Sequence, residues 1–336
     1  MHIFYGYGDT YIDVTEAAFT YCYDGDRIYI ASGDTGSNFL KDPLPGYLKN
    51  VIVIREFDGA MVCRCFDANV AIRIVPTDGE RRQIKETLDR VNRAKPKAIE
   101  RPAATLSTDK KISFLHSQLR FTGGDLTHEW VEQSMVVDFL DPGARVLELG
   151  SNIGRNTLMI SCILNDPRNL VTVECNPFFV ELLRNNQYAN RLDFHIEAGA
   201  LSYRKLMQSK DNCRYGSDAE AWEAIPADEL PDGYEWIPTV TFAELETRYN
   251  LRFDTLVADC EGALFYILED DPDLLTNITT IIMESDFRIV EQKWSVERKF
   301  VDFGFERIHS VALVPNLTEL PQECADSFWE VWKRRS

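Results

Sequence analysis

Two short stretches of this 336-residue chain carry acids and glycines at spacings that chemistry can use. The first is Val146-Leu-Glu-Leu-Gly-Ser-Asn-Ile-Gly154 and the second is Asp254-Thr-Leu-Val-Ala-Asp-Cys-Glu-Gly262. In the first, an apolar strand (ARVLELG) runs into Gly150 and a helix (GRNTLMISCILN) starts near Gly154. Glycine lets the backbone turn tightly beneath a ligand. The free N–H groups and positive dipole at the helix start suit a carboxylate or a phosphate. Glu174 closes the next strand, LVTVEC, 24 residues past Gly150; a doubly wound fold places the acid that accepts ribose hydroxyls about 20 residues on. The glycine spacing is GxxxG, not the GxGxxG of dinucleotide sites. Glu148, just ahead of Gly150, would repel a pyrophosphate and attract an ammonium or a sulfonium. S-adenosylmethionine has both cations, a carboxylate for the helix start and a ribose for Glu174, so these residues suit it better than NAD. The plainer alternative for Glu148 is a structural hydrogen bond.

The second stretch delivers Asp259 and Glu261 to the carboxyl end of a strand, where open α/β sheets bind their ligands. TTIIMESD then brings Glu284 and Asp286 to the end of the following strand. Methyl transfer to a hydroxyl requires alignment and removal of a proton, work for a positioned carboxylate or histidine. Asp259 and Glu284 are the candidate catalytic acids. His128, in the glycine-rich stretch Phe121-Thr-Gly-Gly-Asp-Leu-Thr-His-Glu129, is a candidate base, although a lone histidine is more often an ordinary residue; His116 lies further from any motif. Asp259, Glu284 and Asp286 are also candidate oxygen ligands for a divalent cation such as Mg²⁺ or Mn²⁺. Helix capping is the plainer role for these acids, and for Glu261 it is as good a reading as catalysis.

From about residue 128 onward, apolar strands alternate with helical stretches: ARVLELG, LVTVEC, LDFHIEA, FDTLVADC, TTIIMES and FERIHSVA, with SFWEVWKR closing the chain. Strands this apolar, spaced by helices, predict a parallel sheet covered on both faces, the doubly wound α/β class. Residues 1–76 read instead as short strands broken by turn chemistry, a small β-rich N-terminal domain in which only TEAAFTYC is ambiguous. Residues 77–110 read as a helical linker with few apolar positions to bury, and 111–336 as the catalytic domain. The acidic and aromatic insertion at 211–238 reads equally as a substrate-side lid or a mobile solvated loop.

Hydrophobic residues at 45% and charged residues at 27% describe a folded chain. A net charge of −18 works against a phosphate backbone and an anionic membrane surface, so no nucleic-acid partner is expected. The eight cysteines form no CxxC pair; Cys63 and Cys65 share one strand face, an arrangement that suits packing, and free thiols fit a reducing compartment. The start, MHIFYGYGDTYIDV, lacks the pattern of a signal peptide. No apolar run approaches the roughly 18 residues of a membrane span, so the expectation is a cytoplasmic protein.

VLELGSNIGRNTL, VTVECNPFFVELLRNN, ADCEGALFYIL and IIMESD together resemble the FkbM family of class I S-adenosylmethionine-dependent methyltransferases, over roughly residues 125–315. The resemblance implies a Rossmann-like sheet with helices on both faces and O-methylation of a polyketide or sugar hydroxyl. By the same likeness Glu148, Gly150, Ser151, Asn152 and Gly154 would hold the methionine end of the cofactor. Glu174 and Cys175 would meet the ribose, Ala198 and Ala200 the adenine, and Asp259 would stand nearest the reacting groups. Glu148 stands where the family usually has Asp, Ser151 where it has Ala, and Leu264 where it often has a last Glu. A sugar or glycan is the expected acceptor, with a homo-oligomer compatible with the N-terminal domain. The alternatives are an NAD-dependent sugar dehydrogenase or epimerase and a catalytically inactive, glycan-binding module.

Overall fold

The computed structural model describes residues 1–8, 10–23, 25–30, 49–57, 59–67, 71–93, 99–209, 225–226, 229–314 and 320–335. The chain divides into two compact units, the first formed by 1–100, 118–126 and 184–191, the second by 101–117, 127–183 and 192–336.

In the first unit the strands are β1 (His2–Tyr7), β2 (Thr10–Asp13), β3 (Ile28–Ile30), β4 (Asn50–Phe57), β5 (Ala60–Asp67) and β6 (Ile72–Ile74). They form an antiparallel sheet of order β2-β1-β4-β5 and a separate β3-β6 ribbon. Ile3 and Tyr5 lie opposite Val53 and Val51, and these four residues build one buried face. The ambiguous TEAAFTYC segment is helical, α1 (Thr15–Tyr21), because Ala18, Phe19 and Cys22 share a buried side. Helix α2 (Asp78–Arg93) sets Ile84 into the same core, with Leu88 packed against it, so this charged segment has an apolar side to bury. Cys63 and Cys65 are exposed, contrary to the packing role expected of them. They pair with Ile54 and Ile52, on the sheet face opposite the buried one that holds Val51 and Val53.

The second unit opens with α3 (Thr108–His116) and α4 (Trp130–Phe139), followed by β7 (Val146–Leu149), α5 (Arg155–Ile163), β8 (Leu170–Glu174) and α6 (Pro177–Asn190). The last residues of α6 group with the first unit. Next come β9 (His195–Ala198), β10 (Ala200–Leu201), β11 (Leu206–Ser209), β12 (Ile225–Pro226), β13 (Tyr234–Ile237) and β14 (Thr239–Val240). The chain ends with α7 (Phe242–Tyr249), β15 (Thr255–Ala258), α8 (Ala263–Asp270), β16 (Thr280–Glu284), α9 (Val290–Asp302), β17 (Phe305–Val311), α10 (Gln322–Asp326) and β18 (Trp329–Arg334).

Seven strands form the central sheet in the order β17-β18-β16-β15-β7-β8-β9. Every residue of β7, β8 and β15 is buried, as a sheet covered by helices on both faces requires. All neighbouring strands from β9 to β16 run parallel, and β18 enters antiparallel between β16 and β17. Chain order reverses between β7 and β15, which makes their carboxyl ends the crevice where such sheets bind ligands. Most of the 211–238 insertion lies outside the described residues. Its described parts, β12 and β13, pair with β11. No helix among the described residues is long and apolar enough to cross a membrane.

Gly150 has φ of +83°, and a Cβ there would lie 1.5 Å from the Asp259 carbonyl oxygen. Gly233 has φ of +86° with no heavy atom within 4 Å of a Cβ position. Gly233→Ala therefore meets only the left-handed backbone penalty, about 1–2 kcal/mol, whereas Gly150→Ala must also push the ends of β7 and β15 apart. Urea unfolding is expected to show Gly150→Ala at least about 2 kcal/mol less stable than Gly233→Ala; equal losses would mean the crevice yields at no cost.

Candidate cofactor and catalytic site

The turn after β7 is built from backbone contacts. Gly150 N–H donates to the Val173 carbonyl at 3.0 Å, and Asp259 N–H donates to the Leu149 carbonyl at 3.0 Å. Asn152 adopts a left-handed φ of +49°, a conformation its short polar side chain tolerates, and its Oδ1 accepts the Ile153 N–H at 2.8 Å. Gly154 caps α5 with φ of +92°, and a Cβ there would press on Leu183 at 2.5 Å.

Glu174 ties this turn to the next strand. One carboxylate oxygen accepts the Asn152 N–H at 2.8 Å and the other accepts the Asn176 N–H at 2.7 Å. The Cys175 N–H also bonds this carboxylate, and of its roughly four acceptor positions one remains for a further donor. Glu148 lies beneath the turn, 2% exposed, where its Oε2 accepts the hydroxyls of Thr157 and Thr172, each at 2.7 Å. That is the structural hydrogen bonding left open as the plainer reading of Glu148. Burial pushes both glutamates up to about 7, and for Glu148 the charges of Glu129 and Glu174 add to the push.

At the ends of β15 and β16, Asp259, Glu284 and Asp286 place ligand-type oxygens within 4.8 Å of one another. Burial and mutual repulsion hold Asp259 and Glu284 well above the usual carboxylate range, and Asp286 at about 8. Asp286 Oδ1 accepts the Gly262 N–H at 2.8 Å, while its Oδ2 is buried with no hydrogen-bond partner among the described residues. Glu284 accepts the Trp329 indole N–H at 2.6 Å, and the same N–H lies 3.0 Å from Glu132. Between the two acids on β16's loop sits buried Ser285, whose hydroxyl accepts from Lys293 at 2.9 Å. Lys293 in turn pairs with fully buried Glu330 at 2.5 Å.

The expected residues fall into two groups. Gly150, Ser151, Asn152, Gly154 and Glu174 meet around one turn, and Asp259 abuts it through the Gly150 contact. Glycine at 199 carries the chain past Glu174, whose carbonyl accepts the Gly199 N–H at 2.8 Å; the flanking Ala198 is exposed and Ala200 half-buried. Cys175 is half-buried and Cys260 likewise. Leu264 is buried in the apolar core, which leaves that position without an acid's chemistry. His128 is exposed on a 3-10 turn, Leu126–Glu129. It is Glu129, its neighbour, that reaches inward, accepting from Arg155 Nη1 at 3.2 Å and from the Asn156 N–H at 3.1 Å. His116 lies elsewhere, its ring nitrogen 2.7 Å from Gln133 Oε1. Of the stretch 121–129, residues up to Leu126 group with the first unit and the rest with the second.

Sequence reasoning misses Glu129, Glu132 and Trp329. Glu129 stands in the glycine-rich loop but is overshadowed by the histidine beside it. Trp329 approaches Glu132 across a sequence separation of 197, a contact with no local signature.

No family model matches this chain, and no curated protein matches it. Solved structures do. An O-methyltransferase from Bacillus cereus in complex with SAH aligns at 12% identity over 77% of this chain and 92% of that one, TM-score 0.35. Aeropyrum pernix fibrillarin with bound S-adenosyl-L-methionine aligns at 13% identity over 61% and 74%, TM-score 0.35. Precorrin-6y C5,15-methyltransferase from Geobacter metallireducens aligns at 12% identity over 62% and 86%, TM-score 0.34.

Glu174 has its ordinary value of 4.5 when unfolded and about 7 when folded. The folded chain thus holds a proton that the unfolded chain releases, and stability falls as pH rises from about 4.5 to 7. At about 1.4 kcal/mol per pH unit the effect amounts to a few kcal/mol. Glu174→Gln sets an amide nitrogen against one of the two backbone N–H groups and so loses a bond at every pH; its stability relative to the parent is expected to be a few kcal/mol more favourable at pH 8 than at pH 5, read by urea unfolding without ligand. An equal change at both values would show that Glu174 is not held protonated by the fold.

Proposed function

We propose that the protein is an S-adenosylmethionine-dependent O-methyltransferase whose acceptor is a sugar or glycan hydroxyl. The observation that carries this reading is the acidic character of the crevice at the reversal point of the sheet. Glu148 and Glu174 are buried at the turn and Asp259 abuts it through the Gly150 contact, and a ligand bearing positive charge and ribose hydroxyls would favour their ionised forms. Ser151 Oγ, Asn156 Oδ1 and Asn176 Nδ2 are buried around the same turn with no hydrogen-bond partner among the described residues. Unsatisfied buried polar atoms are costly, and a polar ligand relieves them.

When bound, S-adenosylmethionine supplies an electrophilic methyl group on a sulfonium. Glu174 offers its remaining acceptor position to a ribose hydroxyl. Asp259, at the end of β15 beside the Gly150 turn, is the group placed to take the acceptor's proton. Glu284, fixed by the Trp329 indole, is the second such carboxylate. A divalent cation fits the oxygen donors of Asp259, Glu284 and Asp286, and the orphaned Asp286 oxygen favours that fit. The sugar assignment draws on the resemblance to the FkbM family and on the exposed Trp236 of β13, since indole faces stack on sugar rings.

An NAD enzyme would need a pyrophosphate beside these carboxylates, and the sheet departs from the 3-2-1-4-5-6 order of dinucleotide folds through the inserted β18. Calorimetric titration of S-adenosylmethionine, S-adenosylhomocysteine and NAD separates the readings. Micromolar binding of the two sulfur compounds is expected, weakened at least about tenfold, 1.4 kcal/mol, in Glu174→Ala. Preference for NAD would refute the proposal. Methyl transfer to a panel of sugars, with and without Mg²⁺, then tests the acceptor and the cation. Cofactor and glycan binding without turnover would assign the chain to the inactive, glycan-binding class.

A further inference from the structure

Strand β5 (Ala60–Asp67) ends the order β2-β1-β4-β5, with no strand beyond it among the described residues. A border strand presents unpaired N–H and C=O groups, a template for another chain. Proteins blunt such edges with short strands, bulges, lysine or proline. Among the described residues every other border strand has four residues or fewer, except β17, whose register shifts between Arg307 and His309. β5 has none of these guards. It runs eight residues, AMVCRCFD, without lysine or proline, and pairs with β4 in unbroken register from Asp67–Asn50 to Ala60–Phe57.

The side chains sharpen the contrast. Met61 (64% exposed), Cys63 and Cys65 stand on the open face, next to Ile54 and Ile52. Water therefore meets an apolar stripe where an antiparallel sheet usually turns polar residues outward. Arg64, the one charge inside the strand, belongs to the other face, that of Val53.

We propose that β5 is the seam of a homodimer, in which the β5 strands of two copies pair antiparallel about a two-fold axis through Cys63. Two four-stranded sheets then become one. The edge calls for a strand of matching length and matching apolar face, and a second copy brings both. Symmetry and charge select the register. A two-fold axis normal to the sheet keeps each face on its own side, so odd-numbered residues meet odd ones and even meet even. Two such registers pair seven of the eight residues, one centred on Cys63 and one on Arg64. Centring on Arg64 sets that guanidinium against its own copy, a destabilising contact. Centring on Cys63 sets Met61 opposite the partner's Cys65 and Arg64 opposite the partner's Val62, with no like charges facing. A seam roughly 24 Å long and about 10 Å thick buries well under the about 1,200 Å² of standard interfaces. The dimer is therefore reversible, held by main-chain bonds, and forms as concentration rises.

Sedimentation velocity of the full reduced chain, from about 1 to 500 µM in about 0.5 M NaCl, tests the seam; the salt screens repulsion between two copies of charge −18. The average mass is expected to climb toward that of two chains. Cys63→Lys puts a natural edge guard at an exposed position and is expected to weaken association at least about tenfold. Its circular dichroism and melting temperature are expected to match the parent, which separates lost pairing from lost folding. Brief oxidation by copper–phenanthroline, which takes one electron and one proton's hydrogen from each thiol as the S–S bond forms, is expected to link Cys63 to the partner's Cys63. Cys63→Ser is expected to abolish that link and Cys65→Ser to keep it. Should Cys63→Lys fail to fold, the two serine variants decide. A chain monomeric at every concentration, a dimer that Cys63→Lys leaves unchanged, or a link through Cys65 alone would overturn the proposal.

Discussion

The backbone of Gly150 passes so close to the carbonyl of Asp259 that no side chain fits between them, and the candidate site depends on that approach. It brings together the ends of β7 and β15, the strands between which chain order reverses. Asp259 N–H to Leu149 carbonyl fixes that gap, and Gly150 N–H to Val173 carbonyl ties the turn to β8 on the other side. With those bonds in place, the turn must leave the sheet through left-handed residues at 150, 152 and 154. The helix that follows then points its first turn back at the crevice.

Around this frame the fold accepts an electrostatic burden. Carboxylates from α4's approach, β7, β8, β15 and β16 are buried within reach of one another, and each raises the proton affinity of its neighbours. Such an arrangement stabilises nothing by itself; burying like charges costs free energy that packing elsewhere must offset. The Lys293–Glu330 pair and Ser285 hold the loop between Glu284 and Asp286 from the far side, where a buried ion pair gives positional definition. Perturbed carboxylates gathered at one crevice make it a candidate ligand site.

Much of this is legible in the chain. The strand-turn-helix around Gly150 and Gly154, and the acids closing β8, β15 and β16, are local patterns in which spacing sets position. The central sheet follows from fully apolar strands separated by helices. What local pattern cannot give is the partner brought in from afar. Trp329 reaches Glu132 and Glu284 only because β18 inserts antiparallel beside β16, and nothing in SFWEVWKR states that neighbour. Likewise Cys63 and Cys65 share a face by their period of two, but which face meets the core depends on pairing with β4. His128 is the more reactive residue type in its loop, while the shape of the turn sends Glu129 inward instead.

The central claim is that the crevice is an anionic seat for a cationic cofactor. Its most direct test is the ratio of S-adenosylmethionine to S-adenosylhomocysteine affinity as a function of pH, since the two differ at sulfur by one methyl and one positive charge. Glu148 and Glu174 ionise near pH 7 in the ligand-free fold. The ratio is therefore expected to rise in favour of the sulfonium between pH 6 and 8, by roughly an order of magnitude. A ratio that stays flat or falls across that range would contradict the account.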